Sequence, residues 1–140
     1  MNKKKFSLIL FFSFFFIFFI PAYNNAEEIL IYADSISYDE NENIIARGNA
    51  KIFKDNQLII SDLIIYKKKE KKVLLPTFFT LKDNENNFLS GSSGYFEQDL
   101  NYGEFKDIKI KLNDGSRIIG NNGKRDGHID IISKGVYSPC

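Results

Sequence analysis

The chain has no tryptophan, one histidine and one cysteine among its 140 residues. Zinc is held by several clustered Cys and His ligands, so that chemistry has no ligand set here. The histidine, His128, stands alone in the glycine-rich stretch KRDGHI, with neither Cys nor Ser beside it at a spacing that would pair a nucleophile with a base. No glycine loop leads into a helix, as a phosphate cradle of the nucleotide-binding kind requires. A basic excess is also missing, with 19 Lys and Arg against 18 Asp and Glu, which speaks against a nucleic-acid partner. No catalytic residue, metal ligand or cofactor is expected, and the chain is not expected to be an enzyme.

Long apolar runs are confined to the start. Lys3, Lys4 and Lys5 precede FSLILFFSFFFIFFI, 15 residues from Phe6 to Ile20, followed by Pro21, Ala22 and the small-residue boundary YNNA. A charged start, a short apolar middle and a small exit residue describe a secretory signal peptide. A retained anchor needs about 20 apolar residues to span a bilayer, more than this run supplies. Residues 1–26 are therefore expected to be a signal peptide, and residues 27–140 one exported domain. Loss of the three lysines leaves 16 basic and 18 acidic residues, a charge of minus 2. Cys140 closes no internal disulfide; it is a candidate for a bond to a partner elsewhere, or marks a chain cut short.

What is present beyond Glu27 is strand-like throughout. Runs of Ile, Leu, Phe and Tyr alternate with polar residues and are punctuated by Asn, Asp, Gly and Lys clusters. IYADSISY returns as IISDLIIY, and the self-similarity continues. Ile31, Ile59, Phe88 and Ile118 align at steps of 28, 29 and 30, with Tyr38, Tyr66 and Tyr95 seven residues after the first three. Each unit reads as a strand, a turn (DENEN, KKKEKK, EQDLNYG) and a return strand. Self-similarity at a fixed period of this length marks a stacked or coiled architecture.

Side-chain parity slips inside each unit. Ile29, Ile31 and Ala33 share one face of a strand, whereas Ile36 and Tyr38 fall on the opposite parity; Ile59 and Ser61 stand against Ile64 and Tyr66 in the same way. A strand that keeps its apolar side inward through such a slip must bend. The doublets Ala33-Asp34 and Ser61-Asp62 lie where the bend is required, with Asp able to accept from nearby amides. Those two aspartates are read as bend supports, not as paired catalytic carboxylates. The fold expected is all-β: a bent antiparallel sandwich, partly open, of strand-turn-strand repeats of about 28–30 residues.

Ile29, Ile31, Ile36, Tyr38, Ile59, Ile64 and Tyr66 are the residues expected to face inward. Such an interior either closes as a core or stays open for acyl chains, since each buried methylene contributes about 0.8 kcal/mol. Composition leaves both open. The tip KKKEKK, Lys67 to Lys72, reads either as a solvated turn or as a contact for anionic headgroups.

The pattern IYADSISY…IIARGNAKIF resembles the OstA-like periplasmic module of the lipopolysaccharide-transport proteins, in Ala33-Asp34, Tyr38 and Gly48-Asn49. The ending GHIDIISKGVYSPC is similar to the segment that joins this module to the β-barrel in the LptD-type outer-membrane assembly family. The sequence departs from the pattern at Leu75-Pro76 and at Gly91. The resemblance implies a β-jellyroll whose apolar groove takes lipopolysaccharide, with an LptA-type bridge protein paired at a strand edge. It also implies an LptE-type lipoprotein as partner of the full-length protein at the periplasmic side of the outer membrane. On that reading the chain is an amino-terminal piece without its barrel. The alternatives are a free-standing LptA- or LptC-type transport protein, or a structural β-repeat protein with a closed core.

Overall fold

The computed structural model describes residues 28–127 and 129–139. The expected signal peptide, His128 and Cys140 lie outside the described residues. The elements are twelve strands: β1 (Leu30–Tyr32), β2 (Ser35–Tyr38), β3 (Ile44–Lys54), β4 (Gln57–Lys67), β5 (Lys72–Leu75), β6 (Phe79–Lys82), β7 (Phe88–Gly91), β8 (Ser93–Glu97), β9 (Tyr102–Lys111), β10 (Arg117–Asp126), β11 (Ile129–Ser133) and β12 (Val136–Ser138). Every pairing is antiparallel.

The four long strands, β3, β4, β9 and β10, each serve two sheet halves. Half I runs β1-β3-β4-β6-β7-β9-β10-β12. Half II runs β2-β3-β4-β5-β8-β9-β10-β11. The long strands bend from one half into the other, and the short strands are the broken counterparts on either side of the bend. Units therefore alternate: a broken strand followed by an unbroken return, then the reverse. This is a bent, antiparallel β-jellyroll.

The doublets sit at the bends. At Ala33-Asp34 the Asp34 amide donates to the Gly48 carbonyl at 2.8 Å, and Asn49 Nδ2 donates to Asp34 Oδ2 at 3.0 Å. Gly48 and Asn49 both adopt positive φ (76° and 45°), and the β3–β4 register shifts between Arg47 and Ala50. Glycine is suited to this position because it enters the left-handed region without steric cost. At Ser61-Asp62 the Ser61 hydroxyl donates to the Phe78 carbonyl at 2.8 Å. At Ser92 the amide donates to the Lys106 carbonyl (2.9 Å) and the hydroxyl to Asp107 Oδ2 (2.8 Å), across from a bulge where Asp107 has φ 50°. A polar staple holds each of these three bends.

The register corrects the alignment of the third unit. Ile31, Ile52, Ile59, Leu81, Leu89, Ile110 and Ile118 lie opposite one another along one inner row of half I. Leu89, not Phe88, holds the repeat position, and Phe96, not Tyr95, holds the tyrosine position. Phe88 and Tyr95 face outward. A slip of one residue exchanges the two faces of a strand. With Leu89 the steps become 28, 30 and 29, and both inner rows are continuous.

The interior joins the two halves. Ala46, Ala50, Ile52, Ile59, Ile64, Val73, Leu75, Phe79, Leu81, Phe96, Phe105, Ile108 and Ile110 form one buried cluster. Phe79 of half I meets Phe96 and Phe105 of half II at ring-centroid distances of 6.1 and 5.8 Å, and those two rings are 4.7 Å apart. Room for the triad comes from missing side chains. A Cβ on Gly94 would stand 2.9 Å from Phe105 Cδ1 and 2.6 Å from the Glu104 carbonyl oxygen. Half II thus alternates rings with glycines along its inner face.

Candidate functional site

Strand pairing carries two rows of the inner face of half II out to its edge. Ile36 lies opposite Ala46, which lies opposite Ile64; Tyr38 lies opposite Ile44, which lies opposite Tyr66. The residues named from sequence fall into three environments along these rows and the matching row of half I. Ile59 and Ile64 are fully buried in the core, and Ile29, Ile31 and Tyr66 pack against it half-buried. Ile36 and Tyr38 are on the inner face by register but 47% and 67% exposed. They are uncovered because β2 is an edge strand, paired to β3 alone. The result is an apolar ramp from open solvent at Ile36 and Tyr38 into the core. Lys68, from the KKKEKK tip, sits over the Tyr38 ring at 5.8 Å, and Lys67 pairs with Glu70 at 3.3 Å.

A second opening lies at the far side of the interior. Leu81, Leu89, Ile110, Leu112, Ile118 and Ile132 line a cavity of about 140 Å³. It shares Arg125, Asp130, Asp83 and Asn87 with a polar vestibule of about 380 Å³. Arg125, 8% exposed, donates from Nε and Nη2 to the two Asp130 oxygens at 2.9 and 3.1 Å. A forked pair of this kind fixes β10 against β11 at the mouth. The interior is therefore filled in the middle by three phenylalanines and open at both ends.

A larger depression than either of these, about 810 Å³, is elsewhere. It lies on the outer face of half II, over Leu74, Pro76, Tyr95, Lys124 and Ile131. Leu75 and Phe105 of the core, with Gly94 and Gly123 between and beside them, also line it.

Sequence reasoning passed over one turn design. In DENEN and DNENN the first Asp accepts from the amides two and four residues on, and from the side-chain amide of the last Asn. Asp39 does so with Asn41 and Asn43 (2.9, 2.9 and 2.8 Å), and Asp83 with Glu85 and Asn87 (2.9, 2.9 and 3.0 Å). Glu42 and Asn86 hold positive φ at the fourth position. The spacing Asp-x-x-x-Asn, present twice, is the signal. Hydrogen bonds from the Asn43 side chain and then its amide hold the Asp39 carboxyl below its ordinary value. Asp114 is lowered in the same way by Ser116. Among the described residues, no group of three or more His, Cys, Asp and Glu is arranged to hold a metal ion.

Four strands, β1, β2, β11 and β12, each pair with a single neighbour. Each half thus ends on a strand with one unpaired edge among the described residues. Such edges accept a further strand from another chain.

With this geometry, the fold finds its counterpart among solved structures. The chain is similar to the crystal structure of LptH, the LptA homologous periplasmic component of the conserved lipopolysaccharide transport device from Pseudomonas aeruginosa. The TM-score is 0.64, at 16% sequence identity, over 76% of this chain and 82% of that one. This is the LptA-type β-jellyroll. No family model and no curated protein matches the sequence.

Proposed function

We propose that the chain is a periplasmic carrier module for lipopolysaccharide, of the free-standing LptA or LptC type, which holds acyl chains between its two sheet halves. One observation carries the reading: one apolar row runs without interruption from the exposed Ile36 through Ala46 to the buried Ile64, and a second from the exposed Tyr38 through Ile44 to the half-buried Tyr66. The jellyroll it shares with LptH supports the same reading. A cavity of about 140 Å³ is below the roughly 300–1,000 Å³ of ligand pockets, so loading requires the halves to part at their ends. The phenylalanine triad then acts as the hinge-side seal that keeps the fold together. Export by the segment 1–26 delivers the module, and an LptA-type bridge protein adds a strand at an open edge.

The amino-terminal module of an LptD-type protein, with an LptE-type partner, is the second reading, favoured by the ending GHIDIISKGVYSPC. Genomic sequence past Cys140 separates the two, because a barrel reads as alternating strands of about ten residues with aromatic girdles.

The test of the carrier reading is photo-crosslinking in cells from positions 36, 38 and 66, compared with position 95. Capture of lipopolysaccharide from the first set alone is the expected result. Equal capture from Tyr95, in the outer depression, would move the site off the interior.

A further inference from the structure

The outer face of half I is chemically one-sided. Its strand-paired positions carry Lys51, Lys82, Lys109, Lys111 and Arg117, all exposed, and no Asp or Glu, the strand aspartates Asp62 and Asp107 standing at the bend beyond the pairing. None of the five pairs with a carboxylate among the described residues; Lys82 instead lies over the Phe88 ring at 5.9 Å. Acidic residues are kept to the margins, with Glu28 just ahead of β1, Asp62 and Asp107 at the bend, and Asp55, Asp83, Glu85 and Asp114 in the hairpin tips. Between the cations the same face exposes Leu30, Tyr32, Phe53, Ile60, Phe88 and Ile119. Tyr32 and Phe53 stand edge to face at 5.9 Å, at the β1 side. Eight strands at about 4.8 Å spacing make a surface roughly 34 Å wide.

We propose that this face docks the module on an anionic phospholipid membrane surface. Clustered basic side chains near such a surface are drawn to its negative potential. Exposed aromatic and aliphatic groups enter the headgroup boundary, while lysine stems lie along them and keep their ammonium groups in water. A second copy of the chain is a poor occupant, because two such faces would set cation against cation. The outer face of half II offers the contrast within one molecule. It mixes Arg47, Lys67, Lys72, Lys106 and Lys124 with Asp39, Glu97, Glu104 and Asp126, and Lys72 there is paired with Glu97 at 3.7 Å. Docking through half I leaves both ends of the interior free, so it is separate from lipid loading.

The experiment uses the chain from Glu27, since all twelve strands and the core lie within residues 28–139. It is floated with vesicles of neutral phosphatidylcholine, with and without 30% phosphatidylglycerol, free of lipopolysaccharide. Binding is expected only to the anionic vesicles and should fall in high salt. Lys109→Glu with Lys111→Glu should weaken it on the order of tenfold or more, and Tyr32→Ser with Phe53→Ser should also weaken it. Lys106→Glu with Lys124→Glu, on half II, should leave it largely intact. No binding to anionic vesicles by the folded chain would overturn the proposal. So would equal losses from the half I and half II pairs, or binding to a DNA duplex in place of vesicles.

Discussion

The middle of the interior and its two ends are built from the same residue classes, yet they do opposite things. In the middle, Phe79, Phe96 and Phe105 interlock across the two halves in space cleared by glycines. At the β2 end, Ile36 and Tyr38 continue the same rows with nothing above them. At the β11 end, a small apolar cavity meets a polar vestibule under the Arg125–Asp130 pair. On the proposed carrier reading, stability and binding are assigned to different strands. A module of this kind can open at its ends while its middle holds.

The largest effect is expected in the middle. Phe79→Ala should cost about 3–5 kcal/mol, the usual loss for a buried ring, read as a lower urea midpoint. Gly94→Val adds a side chain where Glu104 and Phe105 leave no room, and should cost about 1–3 kcal/mol by overpacking. A mild effect from both would break the division between a sealed middle and open ends. Next in size is Arg125→Ala at the far mouth. It removes the forked pair to Asp130 and should cost about 1–2 kcal/mol, held down because Asp130 is partly exposed. Its signature is faster amide exchange in β11 than in β8.

At the β2 end the expectation reverses. Ile36→Asn with Tyr38→Asn should change stability by less than about 0.5 kcal/mol, as surface substitutions do. The same pair should weaken lipopolysaccharide binding roughly tenfold, through lost apolar contact. A large loss of stability there would show the end to be core. The smallest effect concerns the tip that leads out of β2. Asp39 titrates below its ordinary value of 3.8 when folded, so it favours the folded tip above that pH. That contribution fades as pH falls through the lowered folded value. NMR of the Asn41 and Asn43 amides should show local loosening only in acid, and Asp39→Asn should abolish that dependence.

Much of this fold was legible. The period, the parity slip and the small-residue doublets led to bent strands, because a core that must stay apolar forces a bend wherever the parity changes. The third unit was misaligned by one residue for an equally physical reason. Phe88-Leu89 and Tyr95-Phe96 are adjacent apolar pairs, so either member satisfies the pattern; only strand pairing shows which one faces inward. A partly open sandwich is legible, but where it opens is not. Ile36 and Tyr38 are the same residue types as Ile64 and Tyr66, at the same place in the repeat. They differ in having no strand beyond them, and a strand's own sequence does not encode its neighbours. The basic outer face of half I was hidden likewise, its five cations being spread over β3, β6, β9 and β10.

The absence of tryptophan gives the central claim a direct measurement. Tyr38→Trp and Tyr95→Trp each place a single indole, one on the ramp into the interior and one in the outer depression. Lipopolysaccharide added to the chain from Glu27 should shift the Tyr38→Trp emission to the blue and leave that of Tyr95→Trp in place. A shift at position 95 with none at position 38 would contradict the account.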